Sequence, residues 1–338
     1  MYCVLLYKIM LSNKEKILSF IEKQGQISVS DLDRVLDIER SMIHRHLKAL
    51  LEEGKIIKMG KPPKVIYTLR ETVSEDEKQE RGDSISDTEN RAIIEDNFLF
   101  ITPKGERQEG IEGFIRWCHN REYDVSKKAD EYKKVYKKYE SFRKDGLIDG
   151  MEKFRQTFGE DISVYGVWYV DVYAWEVFGK TKLGQMLLYA KQSQNKELIR
   201  EITKNIAPYI QHIIAKYTIE AIGYIPPTIK RSVQFMEELR KNFNASLPEL
   251  KIEKIFGDIA VPQKSLSTLK DRMENAKSSV FIREERIFKR VLLIDDAVGS
   301  GATFQEVAKK LKKRGIATQV YCLAITGSAK GFDVISEV

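Results

Sequence analysis

The chain has 338 residues, 42% of them hydrophobic, enough for two or three domains with packed cores. The net charge is +7, and three scattered cysteines, Cys3, Cys118 and Cys322, leave no disulfide framework or cysteine zinc ribbon available. The apolar start MYCVLLYKIML is far shorter than the ~20 residues of a membrane span and lacks a cleavage site, so a soluble cytoplasmic protein with no membrane partner is expected. That start reads either as an added strand or as residues upstream of a true start at Met10.

From residue 13 the signals come in a definite order. Asn13 is expected to cap a helix with Ile17, Leu18 and Ile21 on its inner face, and ISVS reads as a short extended piece. Ser30 is then expected to cap DLDRVLD, and ERSMIHRHLKALLEEG follows after a tight turn. Beyond Gly54, KIIKMGKPPKVIYTL alternates as two strands joined through Gly60, Lys61, Pro62 and Pro63. Helix, strand, helix, turn, helix and hairpin together resemble a winged helix-turn-helix. That resemblance places the third helix in a DNA major groove, with Met42, Ile43, Leu47, Leu50 and Leu51 facing the core. Arg40, Ser41, His44, Arg45 and Lys48 are left to reach DNA, and Lys58, Lys61 and Lys64 put charge on the wing for phosphates. Residues 1–70 hold 13 Lys/Arg against 8 Asp/Glu, which suits DNA or another nucleic acid as partner. Protein docking and homodimerisation are the alternatives. His44 and His46 lie on different helix faces and are expected as surface residues rather than a metal pair.

Residues 71–96 hold 3 Lys/Arg against 10 Asp/Glu with no clean period, and read as an acidic linker or an exposed helix. In residues 97–160, FLFITPKGERQEGIEGFIRWC and KKADEYKKVYKKYESF suggest a strand followed by helices, a helical middle segment with no evident chemistry. Its Tyr/Lys pattern is expected to be a solvated helix face.

Residues 290–303 read RVLLIDDAVGSGAT. The run Val291–Ile294 is expected to be a central parallel strand covered on both faces, and FQEVAKKLKKRG an amphipathic helix with Phe304, Val307, Ala308 and Leu311 inward. Two acids and a loop of small residues therefore sit between a strand's carboxyl end and a helix's amino end, where open α/β sheets bind ligands. Backbone N–H groups converging at a helix start suit a phosphate. Adjacent carboxylates suit ribose hydroxyls or a divalent cation instead. A Walker A loop is excluded for lack of Gly-Lys-Ser/Thr, and a dinucleotide fingerprint by its glycine spacing.

This stretch resembles the phosphoribosyl-pyrophosphate (PRPP) signature of type I phosphoribosyltransferases. The resemblance implies that Asp295 and Asp296 bind the ribose hydroxyls. It also implies that Ala297, Val298, Gly299, Ser300, Gly301, Ala302 and Thr303 wrap the 5-phosphate, Ser300 and Thr303 through hydroxyls. Ala297 stands where a larger aliphatic is common, and Gly299 where Thr is common. From Phe178 onward the segments FGKTKLGQMLLYAKQSQNKELIREITKNIAPYIQ, IEAIGYIPPTIKRSVQFMEELRKNF and VPQKSLSTLKDRMENAKSSVF resemble, in order, the ComF branch of that family over about half the chain. Gln263, Leu266, Arg272, Asn275 and Phe281 match a flexible loop. The Pro226–Arg231 turn stands where the family binds pyrophosphate, with Lys230 and Arg231 supplying charge, although Ser-Val-Gln-Phe replaces the family's Arg-Gly-Phe-Asn run.

The expected architecture is α/β: a parallel-sheet phosphoribosyltransferase-like domain at 161–338, a winged-helix domain at 1–70, the linker at 71–96 and the middle segment at 97–160. If the site is active, the resemblance implies Mg²⁺ on the pyrophosphate of PRPP, with Asp295, Asp296 and Arg272 as catalytic residues. The acceptor would be chosen by the hood and the segment ITGSAKGF. Two functions are open. One is a nucleotide-responsive regulator or phosphoribosyl-transfer enzyme that binds nucleic acid, similar to purine-operon repressors in joining these two modules. The other is a ribosyl-transferring or nucleotide/NAD-cleaving effector, similar to those of retron antiphage systems, held in check by a nucleic-acid partner, with a protein or nucleoprotein partner also open.

Overall fold

The computed structural model describes residues 11–70 and 85–328, which pack as two compact units: residues 11–70 with 103–106, and residues 85–102 with 107–328. Cys3, Met10, most of the acidic stretch and the end of ITGSAKGF lie outside the described residues.

In the first unit, α1 (Asn13–Gln24), β1 (Gln26–Ile27), α2 (Val29–Val35), α3 (Arg40–Glu52), β2 (Ile56–Lys61) and β3 (Lys64–Leu69) follow in the expected order. The strands form an antiparallel sheet in the order β1-β3-β2. One core gathers Ile17 and Ile21 from α1, Leu32 from α2, Ile43, Leu47 and Leu50 from α3, and Ile56 and Tyr67 from the hairpin, with Met42 and Leu51 packed against it. Both expected caps move. Ser12, not Asn13, opens α1: its Oγ accepts from Glu15 N at 3.3 Å while the Glu15 carboxylate accepts from Ser12 N at 2.8 Å. Ser28, not Ser30, opens α2 with Asp31 closing the same reciprocal pair, because Val29 is already drawn into the core.

The second unit is built on a six-stranded sheet. Its elements are α4 (Thr88–Asn97), β4 (Leu99–Ile101), β5 (Arg107–Glu109), α5 (Gly110–His119), α6 (Val125–Glu140), β6 (Arg143–Lys144), β7 (Leu147–Asp149), α7 (Met151–Phe158) and β8 (Gly166–Val172). Then follow β9 (Ala174–Trp175), β10 (Gly179–Lys180), α8 (Lys182–Gln192), α9 (Lys196–Tyr217), β11 (Ala221–Tyr224), α10 (Phe235–Phe243) and β12 (Ile252–Lys254). The unit ends with α11 (Leu269–Ser279), β13 (Val280–Ile282), β14 (Phe288–Val298), α12 (Ala302–Lys313) and β15 (Ala317–Gly327). The sheet runs β11-β14-β15-β8-β7-β6, parallel from β11 to β8 and antiparallel at β7 and β6.

Alternation along β14 decides the layers. Val291 and Leu293 enter the core that holds α12 and α4 to α7, whereas Leu292 and Ile294 enter the core beneath α8 to α10. Such two-sided burial is why the strand reads as an unbroken apolar run. Residues 97–160 are not helical throughout, since β6 and β7 extend the sheet. Nor is the Tyr/Lys pattern a solvated face. Tyr132 and Tyr139 of α6 are buried, with ring centroids 4.9 and 6.0 Å from Trp175, while Lys127, Lys134, Lys137 and Lys138 are exposed. Helix α4, within the stretch read as an acidic linker or exposed helix, buries Ile94 and Asn90 in this unit. Among the described residues, no helix is long and apolar enough to cross a membrane.

Candidate functional site

β14 lies between β11 and β15, so its carboxyl end opens into the crevice beyond β11. A cavity of about 480 Å³ occupies that place. It is lined by Asp295, Asp296, Ala297, Val298, Gly299, Ser300, Gly301, Ala302 and Thr303, together with Arg231 and Arg272. The structure thus gathers residues from three separate stretches, nine of them the consecutive run proposed for ribose and 5-phosphate. Lys230 is the exception: it is exposed and not among the lining residues, whereas Arg231 lines the cavity and its Nη1 donates to Lys191 O.

The loop has to be small. Gly301 caps α12 with φ +74°, and a Cβ there would stand 2.6 Å from Phe154 and 3.2 Å from Phe158, two rings of α7 that pack beneath it. At Gly299 a Cβ would lie 3.4 Å from Arg272 Nη1, in ordinary contact with the guanidinium. Ser300 is buried, and its Oγ accepts from Ala302 N at 3.4 Å.

The two acids are held differently. Asp296 N donates to Asp295 Oδ1 at 2.8 Å, and Asp296 Oδ2 accepts from Lys191 Nζ at 2.6 Å. Burial and the Asp296 charge push the Asp295 carboxyl up to about 7, against the pull of Lys254 and Lys191. Lys254, at the end of β12, donates to Thr228 Oγ1 at 3.2 Å. Burial holds its pKa below the usual lysine range, and the two aspartates pull it back up. Neither Lys191 nor Lys254 was expected from the sequence. Lys191 sits in an ordinary amphipathic helix and Lys254 in a short mixed strand, and only the fold brings them to residues 295–296.

Arg272 arrives on an arm. Antiparallel β12 and β13 carry residues 255–279 between them, including α11. Arg272 is only 4% exposed; its Nε donates to Leu266 O at 2.9 Å, and burial lowers its pKa. Gln263 Nε2 donates to Arg272 O and to Asn275 Oδ1, both at 3.1 Å. These four residues of the flexible-loop pattern therefore lock one another, whereas Phe281 is exposed.

In the first unit, Arg40, Ser41, His44, Arg45 and Lys48 are exposed on α3, opposite Ile43, Leu47 and Leu50. Ser41 Oγ donates to Glu39 Oε1 at 2.7 Å, and Lys48 Nζ lies 3.8 Å from Glu52. Lys58 and Lys64 are exposed on the hairpin; the Lys61 side chain lies outside the described structure. His46 is not the surface residue expected. It is half-buried, and its Nε2 is enclosed without a hydrogen-bond partner among the described residues, because α3 turns it toward the packed side.

Residues 10–57 match the family model described as winged helix-turn-helix, DNA-binding. No curated protein matches the chain. Among solved structures, the chain is similar to a hypoxanthine phosphoribosyltransferase from Staphylococcus aureus, at 15% identity and TM-score 0.24 over 41% of this chain and 69% of that one. It is also similar to an adenine phosphoribosyltransferase from Trypanosoma brucei, at 20% identity and TM-score 0.25 over 46% of this chain and 62% of that one. Likeness at this level assigns no role to a residue.

Proposed function

We propose that this protein binds nucleic acid through its winged helix and a ribose phosphate of the PRPP class in the cavity at β14, acting as a ligand-responsive regulator. The observation that carries the reading is the meeting of the acid pair, the small loop at the start of α12, Arg231 and Arg272 around one cavity. Backbone N–H groups at the helix start and Arg231 suit phosphate and pyrophosphate, and the carboxylates suit ribose hydroxyls. A regulator needs only a ligand that prefers one of two states. Phosphoribosyl transfer is the second reading, favoured by Arg272 docked beside Gly299, where it can meet charge on a departing group.

Mg²⁺ is the cofactor that the phosphoribosyltransferase resemblance implies, and the donor set does not fit it as a resident ion. Asp296 Oδ2 is taken by Lys191, burial and the Asp296 charge favour the neutral form of Asp295, and no group of three or more His, Cys, Asp or Glu that could hold a metal exists among the described residues.

Ligand that binds only the native state stabilises it by about 2.7 kcal/mol at a hundredfold excess over its dissociation constant. PRPP is therefore expected to raise the melting temperature of the wild type and not of an Asp295→Asn/Asp296→Asn variant. Equal shifts in both would remove the acid pair from the site. Incubation with PRPP, bases and nucleosides, with pyrophosphate followed by chromatography, separates the two readings: turnover lost in Asp296→Asn establishes transfer and ends the pure-regulator reading.

A further inference from the structure

We propose that Lys191 and Lys254 act as fixed counter-cations of the cavity, so that it binds PRPP without a divalent cation. The inference rests on the ribose-phosphate reading and concerns how that site balances charge. PRPP brings several phosphate charges toward two aspartates, and such a pairing is unfavourable unless cations stand between them. Five cationic side chains line the cavity, Lys191, Arg231, Lys254, Lys264 and Arg272, outnumbering the two acids. Two of them, Lys191 and Lys254, act on the acid pair itself. Lys191 reaches Asp296 at 2.6 Å from the last turn of α8, and Arg231 donates to the Lys191 carbonyl, tying that turn to the loop after β11. Lys254 is held by Thr228 at 3.2 Å, lines the same cavity and feels the charge of both aspartates. A divalent ion bound at Asp296 Oδ2 must displace the Lys191 ammonium, and one at Oδ1 meets that ammonium's repulsion. An ammonium that is already there supplies the same sign of charge with no reorganisation, as preorganised sites do.

Calorimetric titration of the full chain with PRPP, once in EDTA and once in Mg²⁺, tests this. Wild-type affinity is expected to agree between the two conditions within about threefold. Lys191→Ala and Lys254→Met, each checked for an intact melting transition, are expected to lose about tenfold or more in EDTA, the usual consequence of removing a charge-assisted contact. Mg²⁺ is expected to recover part of the loss in Lys191→Ala, where the vacated acid pair becomes open to a cation. Lys191→Arg, which keeps the charge, is expected to retain chelator-resistant binding and guards against a merely unfolded variant. Wild-type binding that appears only with Mg²⁺ overturns the inference while leaving the ribose-phosphate site standing. Tighter binding by Lys191→Ala in EDTA also overturns it, since the lysine would then be a competitor of the ligand. No binding of PRPP in either condition overturns the site itself, and this inference with it.

Discussion

Asp295 shows how one residue's chemistry is set by the layers around it. Its neighbours Leu292 to Ile294 bury the strand on both faces, and the charge of Asp296 follows immediately. Since the folded pKa of about 7 lies above the unfolded value near 3.8, the native state binds more protons than the unfolded chain between those limits. Its destabilisation is therefore absent below about pH 4 and grows as pH rises to 7. Asp295→Asn, which keeps the acceptor for Asp296 N, is expected to leave stability nearly unchanged at pH 4 and to raise it by up to about 4 kcal/mol at pH 8. Urea unfolding at the two pH values measures this, and an equal effect at both refutes the assigned shift. The two residues that complete the acid pair's surroundings, Lys191 and Lys254, were not legible in the sequence, since a lysine in a helix or short strand has no local signal of its destination.

The arm formed by β12 and β13 is the element on which Arg272 depends. Its root is tied by Glu284, 1% exposed, whose carboxylate accepts from Lys251 N at 3.2 Å and from Arg286 Nε and Nη2 at 2.8 Å each. The Arg286 contacts, with help from backbone N–H groups, hold the Glu284 carboxyl down to about 2. This stabilisation is complete above the unfolded value near 4.5 and is lost as pH falls to 2. Glu284→Gln is expected to cost about 2–3 kcal/mol at pH 7 and little at pH 2, and to speed amide hydrogen exchange across residues 255–279. Exchange that is unchanged there would show that the arm does not depend on this tie. The sequence revealed the loop pattern Gln263, Leu266, Arg272 and Asn275, whose polar side chains do meet, but not the pairing of β12 with β13. Strands of three residues separated by 25 carry too little periodicity to be matched from sequence.

For the whole molecule, the proposed function is a coupling between a nucleic-acid surface and a ligand cavity. If α3 and the wing bind phosphates, affinity should fall steeply with salt, and Lys58→Ala/Lys64→Ala should flatten the log–log slope by about one unit for each contact removed. A salt-independent interaction would instead assign the winged helix to protein docking. If the cavity regulates that surface, PRPP changes nucleic-acid affinity and nucleic acid changes PRPP affinity by the same factor, because linkage is reciprocal. Paired titrations measure both factors; two unequal factors, or none, remove the coupling.

What could be read without a fold was whatever is encoded in neighbouring residues. The apolar run Val291–Ile294, the acid pair, the glycine-rich turn and the inner face of α12 are contiguous, so period and composition were enough to predict strand, loop and helix and to locate the cavity's floor. The winged helix was equally open, because its helices are short and amphipathic and follow one another in order. Tertiary structure decided the rest. It turned the tyrosines of α6 onto Trp175, because aromatic burial outweighs a local pattern that suits either face. It also carried Lys191 across 105 residues of sequence to Asp296. Such a charge pair depends on distance in space, on which composition and period are silent.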